Sequence, residues 1–182
     1  MNTEQLFKEL ADLGVCASGR RLWRQSSRDE DMIIKVWKRW PEYWVEHSGD
    51  AIGIMRRYFS SDEDLSKLEE SHIYMDRTVD SEIGSDTSVF FVGDTKGTIR
   101  VKDWAVVKIY LFNKSSIRIS CGFNSYVNIE CYDGSDLTIE ANEGKCKVYS
   151  YDTSRIMSEA TEGVSLSIKN IERGHVFNGE EA

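Results

Sequence analysis

From Val107 to Tyr151 the chain repeats with a period of about ten residues, and this repeat constrains the fold more than any other feature. Apolar residues stand on alternate positions in Val107/Ile109/Leu111, Ile117/Ile119/Cys121, Val127/Ile129/Cys131 and Leu137/Ile139/Ala141. Alternation of this kind marks a strand with one buried face. Between the triplets lie the turn-forming runs Asn113-Lys114-Ser115-Ser116, Asn124-Ser125, Asp133-Gly134-Ser135-Asp136 and Asn142-Glu143-Gly144. Two architectures bury such a pattern. In a β-solenoid each unit is a strand and a corner, and inner side chains stack on their equivalents in the next coil. In an antiparallel meander or barrel the turns are hairpins. Because Ser115, Ser125 and Ser135 recur at one turn position, the solenoid is preferred. Asp133-Gly134 suits a hairpin, but no Asn-Gly recurs. The period then slips: Cys146/Val148 comes one residue early, and Val164/Leu166/Ile168 two early.

The residues before the repeat read as helices. Thr3 caps a first helix with Leu6, Phe7, Leu10 and Leu13 on one face and Gly14 as its stop. Ser27 and Glu30 form a capping box for a second, which carries Ile33, Val36, Trp37 and Trp40 at helical spacing. Pro41, the single proline, ends that helix or opens the next. Asp50 caps a short third helix, and Ser61 with Asp62, Glu63 and Asp64 starts a fourth. Trp23, Trp37, Trp40 and Trp44 read as the core of this front part, with a ligand-stacking box as the sharper reading. Extended structure begins at Ile73-Tyr74-Met75. The fold class is therefore α+β, with a helical domain over 1–71 and an all-β repeat domain over 72–182.

The bulk chemistry excludes several classes. Net charge is −8. Residues 1–77 carry 12 Lys+Arg against 15 Asp+Glu, and the remainder 11 against 16. Neither part is basic overall, which argues against nucleic acid as a partner. Arg20-Arg21-Leu22-Trp23-Arg24 has the aromatic-basic mix of a nucleic-acid contact, but solvated or ion-paired arginines around core Leu22 and Trp23 suit an acidic chain better. No stretch reaches membrane-spanning length, so no membrane partner is expected. The N-terminus lacks a signal-peptide layout, which points to the cytoplasm. The four cysteines have no metal-binding spacing. Cys121 and Cys131 occupy equivalent places in successive units. They can pair in a disulfide, but reduced, stacked core thiols are the plainer reading.

No nucleotide, hydrolase or zinc-protease motif is present, and His47, His72 and His175 are scattered. No cofactor or metal is expected, and the chain reads as a non-enzyme. Paired carboxylates such as Glu130 and Glu140, placed on the outer face of adjacent units, are of the kind that serves glycoside hydrolysis; solvated charge is the simpler account. What remains is a set of outward rings: Tyr110, Phe112, Phe123, Tyr126, Tyr132, Tyr149 and Tyr151. They form the candidate interaction surface, for a glycan or a partner protein, or they pack against the helical part or another subunit, and packing is the preferred reading.

The run from Leu13-Gly14-Val15-Cys16 through the Trp37–Trp44 cluster, into His72-Ile73-Tyr74, the β repeat and Lys147-Val148-Tyr149-Ser150-Tyr151-Asp152, resembles a group of phage and prophage proteins of gut bacteria. Those have a helical front and a β-repeat back. Their helix junction is Tyr-Pro-like where this chain has Trp40-Pro41. The resemblance implies a phage setting, in the bacterial host or in the virion, without naming an activity. The expected function is a non-enzymatic accessory or structural protein acting through protein–protein contact or self-association. An acidic inhibitor or decoy of a host protein and a glycan-binding or glycan-hydrolysing module are the alternatives.

Overall fold

A computed structural model describes residues 2–84, 87–141, 144–160 and 165–171. The turn residues Asn142 and Glu143, and the polar tail from Arg173, lie outside the described residues. The chain divides into two compact units, Met1–Ser71 and His72–Ala182.

The described residues of the first unit form five helices: α1 (Thr3–Leu13), α2 (Ala17–Arg24), α3 (Glu30–Arg39), α4 (Pro41–Tyr58) and α5 (Asp62–Glu70). Local capping sets their bounds. Asn2, not Thr3, caps α1 by accepting from the Gln5 amide, and Gly14 closes it at φ 135°. Asp29 accepts from the Met32 amide, so α3 starts two residues beyond the expected Ser27 box. A carboxylate already facing the helix dipole is the better cap there. Pro41 occupies the first turn of α4, where its missing N–H costs nothing. The expected third helix at Asp50 is a continuation of α4. Trp44, Val45, Ser48, Ala51, Ile52 and Met55 form one unbroken buried stripe, and this packing overrides the propensity of Gly49, Asp50 and Gly53 to break a helix. Ser61 and Asp64 make a reciprocal capping box on α5.

Aromatic stacking holds this unit together. Phe7 lies 4.5 Å from Trp23 at an interplanar angle of 7°, and Trp37 lies 3.8 Å from Trp44. The Tyr43 hydroxyl donates to the Leu10 carbonyl at 2.8 Å. Burial, followed by the charge of Asp50, pushes its pKa well up, so Tyr43 stays a donor. Beside these rings an apolar cavity of about 190 Å³ remains, lined by Leu10, Val15, Ile33, Trp37, Trp40 and Trp44 among others.

The second unit is a β-solenoid. Among the described residues eleven strands follow one another: β1 (Ile73–Met75), β2 (Thr78–Ile83), β3 (Thr87–Val92), β4 (Lys96–Val101), β5 (Val106–Leu111), β6 (Ser116–Cys121), β7 (Tyr126–Cys131), β8 (Asp136–Ala141), β9 (Lys145–Tyr151), β10 (Arg155–Ala160) and β11 (Ser165–Ile171). Odd-numbered strands form one sheet and even-numbered strands the other, and every pairing is parallel. A coil therefore holds two ten-residue units, one in each sheet. Parallel pairing excludes the hairpin meander.

Stacking in register explains the sequence pattern. Val89, Ile109, Ile129 and Val148 form one inner column of the odd sheet. Ile99, Ile119 and Ile139 form the matching column of the even sheet. All are fully or almost fully buried. The slip at Cys146 is local: Val127 pairs with Cys146, so the corner before β9 is one residue shorter than the corner before β7. Leu166 and Ile168 then fall back into step with Cys146 and Val148.

Both kinds of corner turn through a left-handed residue, which at the even-to-odd corners is Trp104 (φ 61°) and Asn124 (φ 51°). On passing from odd to even strands, Asp76, Asn113, Asp133 and Asp152 take left-handed φ of 54–60°, joined by Gly93 at 71°. Short polar side chains and glycine tolerate that conformation best. Ser115 and Ser135 belong to this corner. Ser125 belongs to the opposite one, so the serines do not share a single position. Among the described residues no helix is long and apolar enough to cross a membrane.

Candidate functional site

The parallel register determines where each outward ring goes. Phe90 stacks on Tyr110 at 4.8 Å, and Phe112, Tyr132 and Tyr151 form a continuous stack at 5.1 and 4.5 Å. Strands one coil apart hold equivalent side chains face to face, which favours flat aromatic ladders. Tyr110, Phe112 and Tyr132 are buried, whereas Tyr126, Tyr149 and Tyr151 are half-buried. The first three are therefore not part of an open surface, which corrects the expectation for them: their rings build the outer wall of the coil.

Charge completes this wall. Lys108 Nζ lies 4.7 Å over the Tyr110 ring and 3.0 Å from Glu130, and the Tyr132 hydroxyl donates to Glu130 at 2.6 Å. Burial works against the charge on Lys108, but Tyr110 and Glu130 outweigh it and hold its pKa up. Burial and Glu130 together push the Tyr132 phenol far up, so it remains a donor. Glu140 is on the other sheet and pairs with Arg118. Glu130 and Glu140 thus project from opposite sheets, and the carboxylate pair suggested by sequence adjacency does not exist. Cys121 and Cys131 are likewise on different sheets, and all four thiols are free.

One ring of the seven stands out in the open. Phe123, 46% exposed, meets Trp104, 68% exposed, edge to face at 5.6 Å and 83°. Val106, two residues beyond Trp104, is 51% exposed. Both rings lie on corners that lead from the even sheet to the odd one. The corner is held rigidly: the Trp104 amide donates to the Phe123 carbonyl at 2.8 Å, and the Phe123 amide donates to Asp103 Oδ1 at 2.8 Å. Around Phe123 runs an open depression lined by Glu82, Arg100, Lys102, Asp103 and Ser120, in which Lys102 pairs with Glu82 at 3.3 Å.

Trp104 is the residue that sequence reasoning missed. Its φ is 61°. Among the described residues eight non-glycines have positive φ, and six of them are Asn, Asp or His. A bulky aromatic in this conformation is a genuine outlier. A signal exists in the sequence: aligned one coil apart, Trp104 stands where the next coil has Asn124. Backbone strain under an exposed ring is the kind of feature that points to function, because packing does not require it.

Compared with protein-family models, curated proteins and solved structures, the chain matches none. Its functional reading therefore rests on the chemistry of its surfaces.

Proposed function

We propose that the protein is a non-enzymatic accessory or structural protein of a phage or prophage, acting through protein–protein contact at the Trp104–Phe123 corner. The exposed, backbone-strained Trp104 braced by Phe123 carries this reading. A rigid solenoid is a sound mount for such a contact, because in-register stacking fixes the corner and little conformational freedom is lost on binding. The composition of the patch supports a protein partner. Trp104 meets Phe123, and Phe123 in turn borders a depression lined by Glu82, Lys102, Asp103 and Arg100, so exposed apolar rings stand beside polar groups as they do in protein interfaces. Tryptophan is also the residue most enriched among binding hot spots.

Photo-crosslinking tests the proposal. Benzoylphenylalanine at Phe123 should give a discrete crosslinked species in host lysate, or a dimer with pure protein if the partner is a second copy. The same probe at Met157, which is also exposed (62%), should not. Equal yields from both positions, or none from Phe123, would refute the reading.

A further inference from the structure

The arginine run of the sequence acquires partners that spacing along the chain cannot reveal. Arg20 is tied down: its guanidinium donates to the carbonyls of Val15 and Ala11 at 2.8 and 2.7 Å. Arg21, by contrast, opens onto a broad groove of about 770 Å³ together with Lys35, Lys38 and Arg39 of α3. Ser18, Gln25, Leu22 and Trp40 complete its walls, and no acidic side chain lines it. None of the four cations forms an ion pair among the described residues. Lys35 does help hold the Asp29 carboxyl low, after the Ser27 hydroxyl and the Met32 amide. Lys38 is half-buried, and that burial lowers its pKa.

Four cations converging on one open groove repel each other, and folding alone gives no reason to gather them. Their position in the last turns of α2 and α3 offsets part of that cost through the helix dipoles, but Lys35 lies outside the last turn. An anion would offset the rest. The net charge of −8 does not prevent this, since exposed charges further away than about 8 Å are largely screened at physiological salt. Trp40, half-buried beside these cations, adds a π-face. Cations that track phosphates next to an aromatic ring make up the recognition surface for unpaired nucleotides.

We propose that the groove between α2 and α3 binds a nucleotide unit, free or within a single strand, with its phosphates on Arg21, Lys35, Lys38 and Arg39 and its base against Trp40. This site is independent of the Trp104 corner.

Fluorescence anisotropy with a labelled oligothymidylate, and quenching of tryptophan emission by AMP, test the proposal on the intact chain. Oligonucleotide binding should weaken with salt at a log–log slope of about 2–3, as expected when up to four cations each displace counterions from a single strand. The double variant K35E/R39E changes two exposed side chains and should leave the helical circular dichroism intact while weakening binding more than tenfold. W40L should weaken binding further at high salt, where stacking dominates. If AMP binds and the oligonucleotide binds no more tightly, the ligand is a free nucleotide. If the oligonucleotide binds far more tightly, it is a strand. Absence of binding by both at low salt, unchanged binding in K35E/R39E, or equal competition by polyglutamate would overturn the proposal.

Discussion

A Cβ added to Gly97 would lie 1.8 Å from the carbonyl oxygen of Val79. Gly97 sits in an inner column between Val79 and Ile117, at φ 146°, and lets β2 approach β4 at a distance no other residue permits. Gly97→Ala should therefore destabilise the solenoid by about 3 kcal/mol or more, the range seen when a special backbone position is lost. Gly49 and Gly53 are the opposite case. Both are inside α4, and a Cβ on either meets nothing within 4 Å. Gly49→Ala and Gly53→Ala should each stabilise the protein by about 0.5–1 kcal/mol. Denaturant midpoints of the three variants check the contrast; a stabilising Gly97→Ala would contradict the stacking register.

The thiols should separate into one reactive group and three silent ones. Cys16 is exposed, whereas Cys121, Cys131 and Cys146 are buried. Burial pushes the Cys131 thiol well up, and a hydrogen bond with Cys121 together with burial does the same for Cys146. Native protein treated with Ellman's reagent should release one equivalent rapidly and the other three only on unfolding. Two or more fast thiols would mean that the coil interior is open.

Acid should weaken the helical unit. Tyr58, Gln5 and Arg57 hold the Glu9 carboxyl low, the Ser27 hydroxyl and the Met32 amide do so for Asp29, and Ser61 does so for Asp64. Each folded-state pKa lies below its unfolded value. The stabilisation is therefore fully present above the unfolded values and is lost as pH falls below about 4. In a chain lacking Trp104, the remaining tryptophans report on the helical unit alone. Their unfolding midpoint should drop between pH 6 and pH 3, and Glu9→Gln should flatten that dependence. A midpoint that rises on acidification would reverse the sign of the argument.

Much of the solenoid is legible in the sequence because inward alternation and turn chemistry repeat together, so Val107, Ile117, Val127 and Leu137 announce their own columns. Two things are not legible. Which sheet a strand joins depends on the coil closing every twenty residues, and a ten-residue period cannot show that Glu130 and Glu140 face apart, or that Cys121 and Cys131 enter the core from opposite sheets. Nor can outward alternation separate the buried ladder of Phe112 and Tyr132 from the open Phe123, since both are outward and aromatic. In the helices, the continuous stripe from Trp44 to Met55 overrides the local breakers Gly49 and Asp50. The basic groove is hidden for a similar reason: Arg21 and Lys35 are far apart in sequence and adjacent only once α2 and α3 pack.

The most direct test of the central claim is the denaturant midpoint of W104N, measured beside the Phe123 crosslink in the same variant. Asparagine is what the next coil carries at this corner. The replacement relieves backbone strain of about 1 kcal/mol and gives up an edge contact of about 0.5–1 kcal/mol. The account predicts stability unchanged or slightly raised, with the crosslink lost. A fall of more than about 2 kcal/mol, or a crosslink that persists at full yield, would show that Trp104 serves the fold and not a partner.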